Sequence, residues 1–95
     1  MLLALFIAGG CGPRVGIFKE RVPVAGSALF EKAEKAYGRS QYKQAYSLYQ
    51  QYLQQYPDTP LTPAAILKTG LIQAHRGEYE DARNRFRRLI DQYPG

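Results

Sequence analysis

The chain has 95 residues, the length of one small domain, and its 45% hydrophobic and 22% charged content excludes disorder throughout. A single Cys and a single His exclude an internal disulfide and a cysteine-built zinc cluster, and leave little material for a catalytic triad or a metal site. The balance of 13 Lys and Arg against 8 Asp and Glu gives a formal charge of +5, a mild bias toward acidic partners or anionic surfaces. No apolar run approaches the roughly 20 residues a membrane-spanning helix needs.

Met1 to Ala8 is a continuous apolar stretch, followed by Gly9-Gly10-Cys11-Gly12. A short apolar segment ending in small residues predicts a secretory signal over residues 1–10. The only Cys, directly after Ala-Gly-Gly, resembles a bacterial lipobox, where the signal is cut before a cysteine whose thiol is acylated. The resemblance implies Cys11 as the site of lipid (palmitate) attachment, with more than one acyl chain, which stable anchoring requires. Gly12 rather than Asp at the next position implies, within the same resemblance, the outer membrane of a bacterial cell envelope, facing the periplasm. Ala8 departs from the commoner Leu or Val, and no Lys or Arg precedes the apolar run, which points to a start further upstream. The alternative is an N-terminal helix with Cys11 in the core, which Gly9, Gly10, Gly12 and Pro13 would stop at once. Residues 11–26 lack a helical period and read as the lipid-bearing Cys and an extended tether, with a short strand at Ile17-Phe18 as the other reading.

From residue 27 the sequence repeats itself. Tyr42, Ala45, Tyr49, Tyr56 and Pro57 recur as Tyr79, Ala82, Phe86, Tyr93 and Pro94, each pair 37 residues apart. Two units, 27–60 and 63–95, each parse into two helices. Ser27 is the expected N-cap of a helix running to Tyr37, with Leu29, Phe30, Ala33, Ala36 and Tyr37 on its apolar side. A turn over 38–41 leads to a second helix over 42–56, ended by Pro57. Thr62 is expected to cap a third helix, with Pro63 in its first turn, that runs to Arg76 and closes on Gly77. A fourth spans 78–93 and stops at Pro94. Ala33, Ala45, Gly70 and Ala82 are the small residues that let helices approach closely, and Tyr49 and Phe86 are the large ones that fill the space they leave. The pattern predicts an all-α fold of stacked antiparallel helix pairs.

Ala45-x3-Tyr49…Pro57 and Ala82-x3-Phe86…Pro94 resemble the second-helix half of the tetratricopeptide repeat, and Gly70 fits the small site of its first helix. Leu29 and Ile66 replace the usual Trp, Lys32 and Thr69 replace a Leu, and the unit is longer than the standard length of about 34 residues. The resemblance implies two such units in a short right-handed α-solenoid that binds other proteins. The longer unit, with Tyr56-Pro57-Asp58-Thr59-Pro60 joining the two, is similar to the repeats of bacterial envelope lipoproteins. These include the outer-membrane β-barrel-assembly lipoproteins, the Tol–Pal coordinator and penicillin-binding-protein activators. They imply a scaffold for another envelope protein or peptide, in outer-membrane protein assembly. The alternatives are the front module of a regulator of peptidoglycan synthesis or cell division, and a purely structural assembly component.

Few residues carry chemistry. No motif places a nucleophile beside His75, which reads as a solvated or capping group at the end of the third helix, so no enzyme activity, metal or cofactor is expected. Glu31–Lys35, Asp81–Arg85 and Arg87–Asp91 have the spacing of ordinary helix-surface ion pairs. Arg83, Arg85, Arg87 and Arg88 form the densest basic run, a solvated face or an attraction to anionic lipid or an acidic partner. Nucleic acid is not expected of an exported chain without an RNA-binding motif. The tyrosine stripe of the second helix reads as core, with a partner surface as its alternative. The third helix is apolar nearly all round, with Lys68 and Gln73 its strongly polar interior positions. In the family resembled, first helices line a concave groove, which implies a partner groove of Phe30, Glu34, Tyr37, Leu67, Leu71, Ala74 and His75. The competing reading packs Leu67 and Leu71 against the first helix. Two units bury little surface, so the expectation is a fragment of a longer repeat protein, or completion by a partner or a second copy.

Overall fold

The computed structural model describes residues 24–94; the expected signal over residues 1–10, Cys11 and the expected tether as far as residue 23 lie outside the described residues. Four helices follow in order: α1 (Ser27–Gly38), α2 (Tyr42–Gln55), α3 (Thr62–His75) and α4 (Tyr79–Gln92), with no strand among the described residues. α1 packs on α2, α2 on α3 and α3 on α4, so the two hairpins stack through their middle helices. None of the helices among the described residues is long and apolar enough to cross a membrane.

The 37-residue repeat is written into the backbone. Gln41 N–H donates to the Ala36 carbonyl at 2.9 Å, and Glu78 N–H to the Gln73 carbonyl at 2.8 Å. These are matching bonds that fold the chain back after the first helix of each unit. The residues that precede α2 and α4, Gln41 and Glu78, have φ, ψ of −87°, 70° and −86°, 63°. Those that follow them, Tyr56 and Tyr93, have −133°, 71° and −134°, 69°. The left-handed residue of each turn falls on Ser40 (φ 60°) in the first hairpin and on Gly77 (φ 81°) in the second. Gly38, expected within the first turn, instead ends α1.

Ala33, Ala36, Ala45, Tyr49, Tyr52, Ala65 and Ile72 form one buried cluster joining α1, α2 and α3. The tyrosine stripe of α2 therefore divides: Tyr49 and Tyr52 are core, whereas Tyr42, Tyr46 and Tyr56 are half-buried around it. Phe30 meets the core tyrosines edge-on, with ring centroids 5.9 Å from Tyr49 and 5.6 Å from Tyr52. The expected pairing of small with large residues holds between α3 and α4, where a Cβ on Gly70 would lie 2.5 Å from Phe86 Cε1.

Two expected caps differ. Ser27 and Thr62 are the first helical residues rather than the caps; Gly26 (φ 76°) and Leu61 precede the helices, with no side-chain cap bond. Thr62 spends its hydroxyl on the inter-hairpin loop instead: Oγ1 accepts from Thr59 N–H at 2.8 Å and donates to the Tyr56 carbonyl at 3.1 Å. Tyr52 completes that network, its hydroxyl lying 2.6 Å from Thr59 Oγ1 and donating to the Ala25 carbonyl at 2.9 Å. A buried phenol thus finds partners in both chain segments flanking the first hairpin, and residues 25 and 26 rest against α2.

Candidate functional site

α3 is covered by α2 and α4 along Thr62, Ala65, Ile66, Thr69, Gly70, Ile72 and Gln73, all buried. The opposite stripe carries Leu67 and Leu71, one turn apart and each 38% exposed, with Lys68 between them and His75 one turn further. An apolar helix thus leaves two leucines one turn apart exposed, where single exposed leucines would be ordinary.

Lys68 joins this stripe to α1. Its Nζ donates to Glu34 Oε2 at 2.9 Å and Oε1 at 3.1 Å and lies 4.5 Å from the Tyr37 ring centroid. From below, the buried Tyr49 hydroxyl donates to Glu34 Oε2 at 2.6 Å. Burial alone would raise the Glu34 carboxyl, but the bonds from Tyr49 and Lys68 and the Lys68 charge outweigh it and hold it below its ordinary value of 4.5. Burial first, then the bond to Glu34 and its charge, push the Tyr49 phenol up. At the far end, the His75 ring packs at a tilt against Tyr42 with centroids 4.4 Å apart, and Tyr42 meets Tyr37 edge-on at 5.5 Å.

The structure therefore brings together Glu34, Tyr37 and, through Tyr42, His75, and sets Leu67 and Leu71 beside Lys68. Phe30 is directed mainly into the α2 core, and Ala74 is half-buried. Lys68, Tyr42 and Tyr49 belong to the same arrangement without having been expected there. Lys68 had a signal, since a lone cation on an apolar helix needs a carboxylate opposite, but the partner lies 34 residues away. His75 is exposed, as a solvated end-of-helix residue should be, and also carries a ring contact that spacing does not show.

The helix-surface ion pairs are not those expected. Among the described residues the salt bridges are Lys68–Glu34, Arg76–Glu78 and Arg83–Glu80, and none of Glu31–Lys35, Asp81–Arg85 or Arg87–Asp91. Arg85 shows the reason: its guanidinium turns away from Asp81 to donate to the Tyr46 hydroxyl of α2 at 3.2 Å, where it also lies over the ring. Arg76 approaches the same ring, 5.3 Å from its centroid.

The lowered Glu34 carboxyl fixes the sign of a pH effect. Its stabilising contribution is present above the unfolded value near 4.5 and is lost as pH falls through the folded value. Glu34→Gln should therefore flatten the acid limb of the stability–pH curve below about pH 5, read by urea melts between pH 3 and 7. An acid limb identical to the parent's would remove Glu34 as its source.

A tetratricopeptide repeat family profile matches residues 27–59 and again 64–95. The curated proteins yield no match.

Proposed function

The chain belongs to the tetratricopeptide repeat family, whose repeats generally mediate protein–protein interaction, and from that premise we propose that it is a non-catalytic scaffold binding its partner on the α1/α3 face. The observation that carries the reading is the pair of exposed leucines, Leu67 and Leu71, flanking Lys68 beside Tyr37 and His75. That surface suits a helix or extended peptide with apolar anchors at one-turn spacing and an acid able to share Lys68 with Glu34. The groove in this reading comprises Glu34, Tyr37, Leu67, Leu71 and His75, together with the half-buried Phe30 and Ala74.

The place of action in this reading is the bacterial envelope. Support comes from the apolar run ending at Gly9-Gly10-Cys11, which would tether the repeats to the outer membrane through lipid and raise their local concentration for a partner there. Outer-membrane protein assembly is the role we favour. Cys11→Ser should then release the protein from the membrane fraction and abolish palmitate labelling; unchanged fractionation would end the tether reading.

Because Leu67 and Leu71 are exposed, Leu67→Asp or Leu71→Asp should leave the helical circular dichroism and melting curve nearly unchanged while abolishing capture of partners from envelope extracts. Unfolding by both would place these residues in the core and contradict the groove.

A further inference from the structure

We propose that the polar cleft between the end of α3 and α4 binds a free α-amino acid, with its carboxylate at Arg85 and Arg88 and its ammonium at Asp81. The cleft has a volume of about 290 Å³ and is lined by Gln73, Asp81, Asn84, Arg85 and Arg88. Asp81, Arg85 and Arg88 follow at four- and three-residue steps along one face of α4, so one acid and two bases border the same space. Among the described residues no salt bridge joins any of the three to a partner. The pair that spacing favours, Asp81–Arg85, gives way to the bond from the Arg85 guanidinium to the Tyr46 hydroxyl of α2, 3.2 Å long. Arg88 has one long bond, from Nε to Gln92 Oε1 at 3.4 Å. Charges of both signs therefore face one cleft without meeting, and a ligand carrying both matches them.

Gln73 adds an independent observation. It is 6% exposed, and its Nε2 donates to the Tyr46 hydroxyl at 3.4 Å, whereas its Oε1 is buried with no partner among the described residues. A buried acceptor left unmet is costly, and an N–H donor relieves it. A small turn of the amide lets an ammonium share this oxygen with Asp81. A carboxylate alone brings only acceptors and is repelled by Asp81; an amine alone leaves the two guanidinium groups unmatched.

The first hairpin shows that stacking does not require this chemistry. Thirty-seven residues earlier, the positions of Gln73, Asp81, Asn84, Arg85 and Arg88 hold Ala36, Gln44, Ser47, Leu48 and Gln51, with no charge and no buried amide. The polar set belongs to the second unit. It also lies apart from the α1/α3 groove, since Gln73 is on the covered side of α3 and Leu67 and Leu71 are on the opposite stripe.

The test titrates the full chain with L-alanine, propionate and ethylamine, which share a carbon skeleton and carry both charges, the negative one or the positive one. Nuclear magnetic resonance shifts of the Gln73 side-chain amide and the Arg85 and Arg88 Nε–H groups read binding at the cleft. Alanine should bind saturably and about tenfold more tightly than either single-charge analogue. Asp81→Gln, on an exposed position and to the residue of the first unit, should reduce alanine to the affinity of propionate. Arg85→Leu, again the first unit's residue, should abolish alanine and propionate binding with the circular dichroism intact. Leu67→Asp should change none of these. Alanine binding no tighter than propionate, or unchanged by Asp81→Gln, would overturn the proposal. So would absence of saturable shifts, or binding lost with Leu67→Asp, which would give it to the α1/α3 groove.

Discussion

Tyr49→Ala should unfold the first hairpin's core at a cost of about 3–5 kcal/mol, the range for deleting a large buried aromatic. Tyr49 is fully buried, joins the cluster formed by α1, α2 and α3, and takes the edges of Phe30 and Tyr37. Truncation would leave a cavity in the helix that touches both neighbours, and a domain this small has only a few kcal/mol to lose. Tyr49→Phe separates packing from polarity. It keeps the ring and removes only the bond to Glu34, whose side chain is 37% exposed so that water can replace the lost donor. A loss of about 1 kcal/mol is expected for that change. Urea melts at neutral pH read both, and equal losses for the two variants would mean that the hydroxyl rather than the ring dominates.

The second large effect is at the α3/α4 contact. Gly70 is buried, and its missing Cβ is what admits Phe86, whose Cε1 would otherwise be 2.5 Å away. Gly70→Ala sets a gain in helix propensity of about 1 kcal/mol against a displaced ring. Gly70→Leu cannot be absorbed in that way and should cost about 2 kcal/mol or more by overpacking. Adding Phe86→Ala should restore part of the loss, because the two side chains compete for one volume. If the double variant is as unstable as the sum of the singles, the two residues do not share that space.

The helices were legible to within a residue at most ends because three strong signals agree: Pro57 and Pro94 stop helices, Gly77 closes one, and apolar residues recur at three- and four-residue steps. The caps were less legible. Ser27 and Thr62 have the chemistry of N-caps, but the loop before α3 has polar groups of its own to satisfy, and Thr62 serves those. The same reason explains the site. Glu34–Lys68, Tyr42–His75 and Arg85–Tyr46 join residues 33 to 39 positions apart, on different helices. Their geometry depends on how one hairpin sits on the next, and no spacing within a single helix encodes it. The repeat length alone came near, since it marks which residues of the two units occupy matching positions. The α1/α3 groove is what the family resemblance implies rather than what the repeat length shows; Leu67 and Leu71 are exposed on α3, and the resemblance did not assign Lys68 or Tyr42 to that face.

Two copies of one helical hairpin stack so that α1 and α3 lie side by side. Nuclear Overhauser contacts in solution test it most directly. Cross-peaks are expected from the Tyr37 ring to the Lys68 side chain and from the Tyr42 ring to the His75 ring, both bridging the hairpins. Contacts confined within residues 27–57 and within residues 64–94, with none between them, would contradict it.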